Sequence, residues 1–341
     1  MSRTDFRPYL ERVQGGHGLN VQASTAAFEL IVSGRVAEDD LADFLLAQSK
    51  RGPTVDEIVG AARAMRAAMV KVEAPPGAID VCGTGGDGSG TLNVSTAVAL
   101  VVAACGVPVA KHGNRSMSSR TGAADVLEAL GVNVSLGREG AEACLREAGI
   151  AFLFAQIYHP AMKHVASVRK RLGVRTIFNV LGPLCNPAQV KRQLMGVYAR
   201  EWVEPIAHVL RDLGSEKAWV VHGDGLDELT TTGTTHAAVL SGNTVSLREI
   251  APEDAGLDRA DLAALKGGEA AENAAALRAL LDGAKGAYRD IVRLNAAAAL
   301  VIADKAEDLR GGAALAADAI DSGRAKRTLA QFAACSQRFA A

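Results

Sequence analysis

The sequence predicts an α/β protein with a small helical domain and a larger α/β domain whose central sheet is mostly parallel. Residues 1–71 show only helical periodicity, and the stretch 72–77 breaks that periodicity with two prolines and a glycine. From Ile79 onward, short apolar runs alternate with helical sequence. This alternation favours a parallel sheet covered by helices on both faces, in a chain long enough for two domains.

The N-terminal region carries clear helix signals. Thr54 and Glu57 have the spacing of a capping box, in which each side chain accepts a hydrogen bond from the other residue's backbone N–H. Ile58 and Met65 follow on one apolar stripe with helical period. The sequence therefore predicts a helix that begins after Thr54, preceded by another over 39–49.

From Ile79 the predicted elements alternate, except where 159–187 interrupts them with a basic helix and a segment rich in glycine and proline. Strands or short apolar runs are expected at 79–82, 107–110, 132–136, 151–154, 194–198, 218–221 and 237–240. Helices are expected at 94–105, 122–130, 163–171, 201–213 and 270–282, and alanine-rich helix at 295–334.

Charge and composition exclude several classes of protein. A formal net charge of −1 and an aromatic content of 4% do not support nucleic-acid binding, which needs a basic face or a stacking platform. The five cysteines lack C-x-x-C spacing, which indicates reduced thiols and no zinc site. No signal peptide is apparent, and the longest apolar run, Val94–Ala104, is too short to span a bilayer. We therefore expect a cytoplasmic protein that binds neither nucleic acid nor membranes.

The most informative segment is 79–96, where five glycines fall within eight positions after a short strand. Glycines let backbone N–H groups approach a ligand, and such a loop leading into a helix N-terminus binds anions. Asp87 stands within the loop, and Thr91, Asn93 and Ser95 follow it. Because a phosphate site that contains a carboxylate needs a cation between the two, the sequence predicts a Mg²⁺-bound diphosphate.

The glycine loop also satisfies two better-known patterns in part. Gly83, Gly85 and Gly88 match the dinucleotide fingerprint, but that site needs an acidic residue after the next strand, where this chain has the cationic loop 111–115. Ser89 follows Gly88 where a Walker loop requires lysine. Since both special loops follow parallel strands, we expect them to share one crevice.

Each motif also has a purely structural interpretation. Asn93 could be an ordinary helix N-cap, Lys111 could belong to a solvated loop, and the pair 227–228 could be a turn. Among Arg169 and its two basic neighbours, the pattern alone makes no choice.

Five motifs in this order closely resemble the anthranilate phosphoribosyltransferase family: 83–87, 93–96, 111–119, 175–187 and 225–228. Weaker similarity covers nearly the whole chain.

The resemblance implies a fold like that of nucleoside phosphorylases and phosphoribosyltransferases. Its helical domain would be 1–72, with 165–188 returning to it, and its α/β domain would be 73–164 and 189–341. The resemblance also implies a homodimer formed through the helical domain. The implied reaction, a step of tryptophan biosynthesis, transfers the 5-phosphoribosyl group from 5-phospho-α-D-ribose 1-diphosphate to anthranilate with Mg²⁺ and releases pyrophosphate.

The resemblance also implies the site residues. Lys111 would neutralise developing charge, and His112 is a second candidate catalytic residue that could assist proton removal or only shape the loop. Ala123 stands where the family commonly has serine, so we expect a modest effect on affinity. The phosphoribosyl diphosphate site would comprise Gly83, Gly86, Asp87, Thr91, Asn93, Val94, Ser95, Thr96, Lys111, His112, Gly113, Asn114, Arg115, Ser116, Met117, Ser118, Ser119 and Ala123. Anthranilate would contact Gly83, Asn114 and Arg169, and Mg²⁺ would bind Ser95, Asp227 and Glu228.

Two other functions compete with this interpretation. A pyrimidine nucleoside phosphorylase-like enzyme would share the architecture but use inorganic phosphate. A nucleic-acid-binding look-alike would have lost Asp227, Glu228 or Arg169 and gained a basic surface, and the sequence has neither change.

Overall fold

The structure is a computed structural model that describes residues 5–115 and 121–340. The predicted site residues Ser116, Met117, Ser118 and Ser119 lie outside the described residues.

Helices make up about half of the described chain. They are α1 (Arg7–Gln14), α2 (Val21–Val32), α3 (Glu38–Arg51), α4 (Val55–Ala68), α5 (Val94–Ala104), α6 (Ala123–Ala129), α7 (Arg138–Glu147), α8 (Ala155–Tyr158), α9 (Lys163–Leu172), α10 (Phe178–Leu184), α11 (Val203–Asp212), α12 (Ala270–Leu281), α13 (Ala287–Ile302), α14 (Leu309–Asp321) and α15 (Arg324–Gln337). The predicted capping box of Thr54 and Glu57 is confirmed at the start of α4.

The strands form one sheet in the order β3-β2-β1-β4-β5-β6-β7. They are β1 (Ile79–Gly83), β2 (Val109–Gly113), β3 (Ile150–Phe154), β4 (Arg192–Gly196), β5 (Lys217–Gly223), β6 (Thr235–Ser241) and β7 (Thr244–Ile250). β1 to β5 are parallel to one another, and β6 pairs antiparallel with both β5 and β7. The mostly parallel sheet is confirmed, and its strand order reverses between β1 and β4, where such sheets bind ligands.

Two apolar clusters cover the two faces of the sheet. One contains α2–α4 together with side chains of α9, α10 and α11, such as Val168, Phe178 and Ile206. Within it, the rings of Phe28 and Phe178 lie 5.8 Å apart, so α10 packs against the N-terminal helices. The other cluster contains α5, α7 and the alanine-rich helices α12–α15.

The structure differs from the predicted elements at two places. The run 132–136, which connects α6 to α7, is an apolar run but not a strand. Its apolar side chains are buried, and side chains bind its backbone, as Tyr158 Oη does by donating to Leu136 O. Sequence reasoning also missed β7, an edge strand with a largely exposed, polar face. Its signal was the Gly242-Asn243 turn, a common hairpin connection.

Within residues 5–115 and 121–340, no helix has both the length and the apolar character needed to cross a membrane.

Candidate active site

The predicted loops lie at one edge of the sheet. Gly83 ends β1 and Gly113 ends β2, and the β1–β2 register brings these two ends to the same level. Gly196, at the end of β4, is paired with Gly83. This edge of the sheet therefore carries the loop after β1, the start of the loop after β2, and the acidic turn after β5.

The loop predicted to bind the diphosphate, residues 83–91 (the diphosphate loop below), needs its glycines for backbone conformation. Four of them have φ values in the left-handed region, which side chains with a Cβ rarely adopt. They are Gly85, Gly86, Gly88 and Gly90, at +66°, +76°, +74° and +62°. Inside the loop, Asp87 accepts hydrogen bonds from the backbone N–H of Ser89, at 3.0 Å, and from its hydroxyl, at 2.8 Å.

Asn93 precedes α5 but does not act as an ordinary N-cap, because its side chain makes no capping hydrogen bond. Its Oδ1 accepts a hydrogen bond from Asn273 Nδ2 at 2.9 Å, and its backbone oxygen accepts one from Tyr288 Oη at 3.2 Å. These contacts fix the amide, and its Nδ2 has no acceptor within 5–115 and 121–340. That group can therefore donate to a ligand oxygen.

The acidic residues of the turn after β5 face the diphosphate loop. Asp227 Oδ2 accepts a hydrogen bond from Gly85 N–H at 2.7 Å, and Glu228 Oε1 accepts one from Ser95 N–H at 3.1 Å. Any side chain at Gly83 or Gly196 would collide with Asp227. Both glycines are thus required for this close approach.

Withdrawal from water and mutual repulsion raise the pKa values of this acidic pair. The pKa of Asp227 is raised to about 7, first by desolvation and then by the charge of Asp87. Desolvation, followed by the charge of Asp227, raises the pKa of Glu228 well above its usual range. A cation between these carboxylates would relieve both effects.

The acidic pair suits a magnesium ion that arrives with a phosphate ligand. Among the described residues, no group of three or more His, Cys, Asp or Glu side chains could hold a metal on its own. Mg²⁺ requires less than that, because it uses one or two carboxylates and completes its shell with substrate phosphates and water. Asp227, Glu228 and the Ser95 hydroxyl supply oxygen donors of this kind.

Lys111 is buried, with 3% of its surface exposed, so the solvated-loop interpretation is wrong. Its Nζ donates to Val81 O at 2.6 Å and to Ser95 Oγ at 3.1 Å. The ammonium therefore lies between the end of β1 and the start of α5, at the edge that carries the acidic pair.

His112 points to the opposite face of β2 from Lys111, as alternation along a strand requires. Its Nδ1 lies 3.0 Å from Gly182 O, and its Nε2 lies 3.2 Å from Nε2 of His159. Since a carbonyl oxygen can only accept, Nδ1 carries the proton and Nε2 accepts from His159. Burial, and then the neighbouring His159, lower the pKa of His112 to about 3.

The histidine pair gives a testable pH dependence. Burial lowers the pKa of His159 to about 4, from an ordinary value of 6.5. Below the ordinary value the unfolded chain binds more protons than the folded one, so the free energy of unfolding falls as pH falls. Between about pH 7 and pH 5, we expect the free energy of unfolding to fall by about 1–2 kcal/mol less in His159→Asn than in the wild type.

Urea unfolding at several pH values measures this slope. His17→Asn, at an exposed position, is the control and should leave the slope unchanged. Asp80 titrates in the same window with the opposite sign, because burial raises its pKa to about 6, and it is present in all three proteins. An unchanged slope in His159→Asn would contradict the neutral buried pair.

Three further predicted residues lie in the loop after β2 or at the start of the helix that follows it. Arg115 forms ion pairs with Asp125 and Glu128 of α6, each at 2.6 Å. Asn114 Oδ1 accepts a hydrogen bond from Arg115 N–H at 2.8 Å. Ala123 is the first residue of α6, and its N–H has no acceptor among the described residues, as is typical of a helix start.

Arg169 has a sheltered guanidinium without a counter-charge. It lies 5.4 Å above the ring of Phe178, and burial lowers its pKa. Within 5–115 and 121–340 it has neither a hydrogen bond nor an ion pair. By contrast, Lys170 is exposed and Arg171 binds Asp39 at 3.1 Å. Of the three basic neighbours, the geometry therefore favours Arg169 as a carboxylate ligand.

Sequence reasoning missed residues that support these groups. Asn186 Nδ2 donates to Asp80 Oδ2 and to Ala110 O, both at 2.8 Å, and so joins the segment after α10 to β1 and β2. Asn186 lies in the motif 175–187, which was a usable signal. Asn273 and Tyr288 lie in alanine-rich sequence that carries no such signal.

Two family models match the chain and define its class. The model described as glycosyl transferase family, helical bundle domain, matches residues 7–69, and the model described as glycosyl transferase family, a/b domain, matches residues 75–326. The chain thus belongs to the glycosyl transferase family and matches both its helical bundle domain and its a/b domain.

Relatives over the full length narrow this class. Anthranilate phosphoribosyltransferase of Rhizobium meliloti is 56% identical, over 96% of this chain and 97% of its own. The enzyme of that name from Methylocella silvestris is 57% identical, over 98% and 96%. The chain belongs to the anthranilate phosphoribosyltransferase family.

Solved structures agree with this membership. The anthranilate phosphoribosyltransferase of Thermus thermophilus superposes with a TM-score of 0.92 at 43% identity, over 96% of this chain and 99% of its own. The Saccharomyces cerevisiae enzyme, in complex with PRPP and Mg, superposes with a TM-score of 0.90 at 27% identity, over 99% of both chains.

Proposed function

We propose that this protein transfers the 5-phosphoribosyl group of 5-phospho-α-D-ribose 1-diphosphate to the amine of anthranilate, giving N-(5-phosphoribosyl)anthranilate and pyrophosphate. The observation that carries the proposal is that the glycine loop, Lys111 and the pair Asp227 and Glu228 meet at one edge of the sheet. Membership of the family supports it, as does the yeast relative's complex with PRPP and Mg.

The first part of the site would hold the diphosphate. Backbone N–H groups of the glycine loop and Asn93 Nδ2 are donors for its oxygens. Asp227, Glu228 and Ser95 Oγ would hold Mg²⁺, which when bound neutralises charge on the departing pyrophosphate. Lys111, already positioned by two hydrogen bonds, would stabilise the same charge without reorganising.

The second part would hold anthranilate. Arg169 offers the bidentate geometry that a carboxylate prefers, and Phe178 supports its guanidinium. Phe178 lies one turn of α10 before Gly182, which contacts His112 at the end of β2. A carboxylate held by Arg169 would therefore orient the amine toward the edge of the sheet that carries the diphosphate loop. Positioning of this kind would supply much of the rate enhancement without a separate acid or base. Gly83 and Asn114 remain proposed neighbours of anthranilate.

For His112 we propose a shaping role. Its Nε2 already accepts a hydrogen bond from His159, so accepting a proton from the amine would require that contact to break. Gly113, Arg115, Ser116, Met117, Ser118, Ser119 and Ala123 remain proposed ligands of the phosphoribosyl diphosphate, as do Val94 and Thr96.

Anthranilate fluorescence tests the proposed reaction. The signal should fall only when 5-phospho-α-D-ribose 1-diphosphate and Mg²⁺ are both present, with pyrophosphate released in equal amount. The alternative, a pyrimidine nucleoside phosphorylase-like activity, predicts constant fluorescence and phosphate-dependent cleavage of a pyrimidine nucleoside. That pair of results would overturn the proposal.

We also propose the domain division stated above, and a cytoplasmic protein that does not bind nucleic acid. The packing of α9 and α10 with α2–α4 supports the return of 165–188 to the helical domain. The cysteines are all free, as is usual in reducing compartments.

A homodimer through the helical domain is a further part of the proposal. Leu46 and Val174 are 42% and 50% exposed, and they belong to α3 and to the turn after α9, elements that pack together. We expect Leu46→Asp to shift the protein toward monomer in analytical ultracentrifugation, because a buried charge opposes association. Leu315→Asp, at a similarly exposed position on α14, is the control. Identical sedimentation of both variants would argue against this interface.

A further inference from the structure

Arg175 joins two parts of the molecule that the proposed function keeps separate. Its Nη2 donates a hydrogen bond to Gly86 O, in the diphosphate loop, at 2.6 Å. Its guanidinium lies 4.2 Å above the ring of Tyr198, which follows β4. Its own backbone oxygen accepts a hydrogen bond from Ser49 Oγ of α3 at 2.7 Å. Arg175 thus connects the helical domain to the diphosphate loop.

The contact with Gly86 fixes the direction of a peptide group. In a trans peptide the C=O of one residue and the N–H of the next point in opposite directions. While Arg175 holds Gly86 O, the N–H of Asp87 is directed away from Arg175, and it has no acceptor among the described residues. Gly86 has a φ of +76°, and glycine rotates through such conformations easily. Without a partner for its carbonyl group, this peptide would be free to flip.

Tyr198 holds the arginine in place. Its backbone N–H donates to Thr84 Oγ1 at 2.9 Å, which ties it to the start of the same loop. Its hydroxyl accepts a hydrogen bond from Trp202 Nε1 at 2.9 Å, which orients the ring under the guanidinium. A planar guanidinium both stacks on this ring and donates to the carbonyl, a combination that lysine does not reproduce.

Arg175 also belongs to the segment that presents the proposed anthranilate ligand. It lies between α9, which carries Arg169, and α10, which carries the Phe178 ring beneath Arg169. A change in the diphosphate loop can therefore reach Arg169 through a short, continuous stretch of chain.

We propose that Arg175 is a positioning residue that holds the Gly86–Asp87 peptide with its N–H available to the diphosphate, and that it couples diphosphate binding to anthranilate binding. This inference rests on the proposed function for the identity of the two ligands. Because coupling between two sites is reciprocal, pyrophosphate should change anthranilate affinity by the same factor as anthranilate changes pyrophosphate affinity.

Titration calorimetry with pyrophosphate and Mg²⁺ tests the positioning role without turnover. We expect Arg175→Ala to weaken pyrophosphate binding roughly tenfold or more, as loss of a charge-assisted hydrogen bond predicts. The pyrophosphate affinity of Arg175→Lys should lie between those of the wild type and Arg175→Ala, since lysine keeps the charge but loses the planar guanidinium that stacks on Tyr198. Arg171→Ala is the matched control, because Arg171 lies on the same segment but binds Asp39 instead. Equal binding by Arg175→Ala and the wild type, or an equal loss in Arg171→Ala, would overturn the proposal.

A second pair of variants tests the support from the ring. Tyr198→Phe keeps the ring face under the guanidinium and loses only the hydrogen bond from Trp202, so it should keep most of the wild-type affinity for pyrophosphate, whereas Tyr198→Leu should show a larger part of the Arg175→Ala loss. Equal binding by Tyr198→Leu and Tyr198→Phe would contradict the role of the ring.

The coupling needs one further measurement. Anthranilate affinity, measured with and without pyrophosphate, should differ in the wild type and become independent of pyrophosphate in Arg175→Ala. If the ratio of the anthranilate affinities with and without pyrophosphate is the same in Arg175→Ala as in the wild type, the coupling is refuted. If the wild type binds pyrophosphate but does not consume anthranilate, the proposed function fails while the pyrophosphate titrations still decide the positioning role.

Discussion

Replacing Arg169 by alanine is expected to raise the KM for anthranilate by about two to three orders of magnitude, because the substrate carboxylate loses a sheltered bidentate partner. Steady-state kinetics with anthranilate varied at saturating 5-phospho-α-D-ribose 1-diphosphate measure this change. The affinity for pyrophosphate should stay nearly constant, since Arg169 makes no hydrogen bond or ion pair with the diphosphate loop in the described part of the chain. Folding should be little affected, because the guanidinium has no ion pair to lose within the described residues.

Lys170→Ala is the matched control for this experiment. It removes a positive charge from the next position of α9, but from an exposed side chain. Kinetics close to those of the wild type are expected. An equal rise in KM for both variants would indicate a general effect of charge, and an equal loss of anthranilate and diphosphate binding would mean that the carboxylate contact lies elsewhere.

Replacing Asp227 by asparagine should separate activity from stability. We expect kcat/KM to fall by roughly 10²–10³, because a lost metal ligand removes several kcal/mol of transition-state stabilisation. The free protein should become more stable at neutral pH. The substituted amide side chain would retain an oxygen to accept the hydrogen bond from Gly85 N–H, while the repulsion from Asp87 would disappear.

The sign of the stability change follows from the pKa of Asp227, which is raised to about 7. A folded-state pKa above the unfolded value means that ionisation destabilises the fold, so stability falls as pH rises from about 4 to about 7. Asp227→Asn removes this loss and should raise the melting temperature by about 2–4 °C at neutral pH in the absence of Mg²⁺.

Asp224→Asn is the control for both readouts, because Asp224 lies on the same turn but accepts a hydrogen bond from Thr232 instead of facing the loop. Thermal melts at several pH values and steady-state kinetics give the two measurements. A variant of Asp227 that keeps its activity, or one that melts lower than the wild type at neutral pH, would contradict the assignment of this carboxylate.

The motifs of the site could be predicted from sequence because they depend on local chemistry. Four glycines of one loop require positive φ, and a helix start after them requires little else to bind an anion. The start of α4 was predictable for the same reason, since its capping box spans only four residues. Strand β7 was not, because an edge strand with a largely exposed, polar face lacks the buried apolar run that marked the other strands.

The orientation of the side chains depended on distant parts of the chain. From the sequence, Asn93 was a plausible N-cap. In the structure its Oδ1 accepts a hydrogen bond from Asn273, far along the sequence, and makes no capping bond to α5. His112 and Lys111 are adjacent in sequence, yet the pleat of β2 sends them to opposite faces and only Lys111 meets Ser95. No pattern within one segment contains this information.

By itself, the sequence determined the helical and α/β parts of the architecture, the glycine-rich loop and the acidic and basic motifs around it, because these follow from local backbone preference and residue chemistry. The tertiary structure decided which of three consecutive basic residues is sheltered, which face His112 occupies, and that Arg175 reaches the diphosphate loop. These properties arise from packing between segments far apart in the chain, where burial and hydrogen-bond partners are settled by the assembled fold.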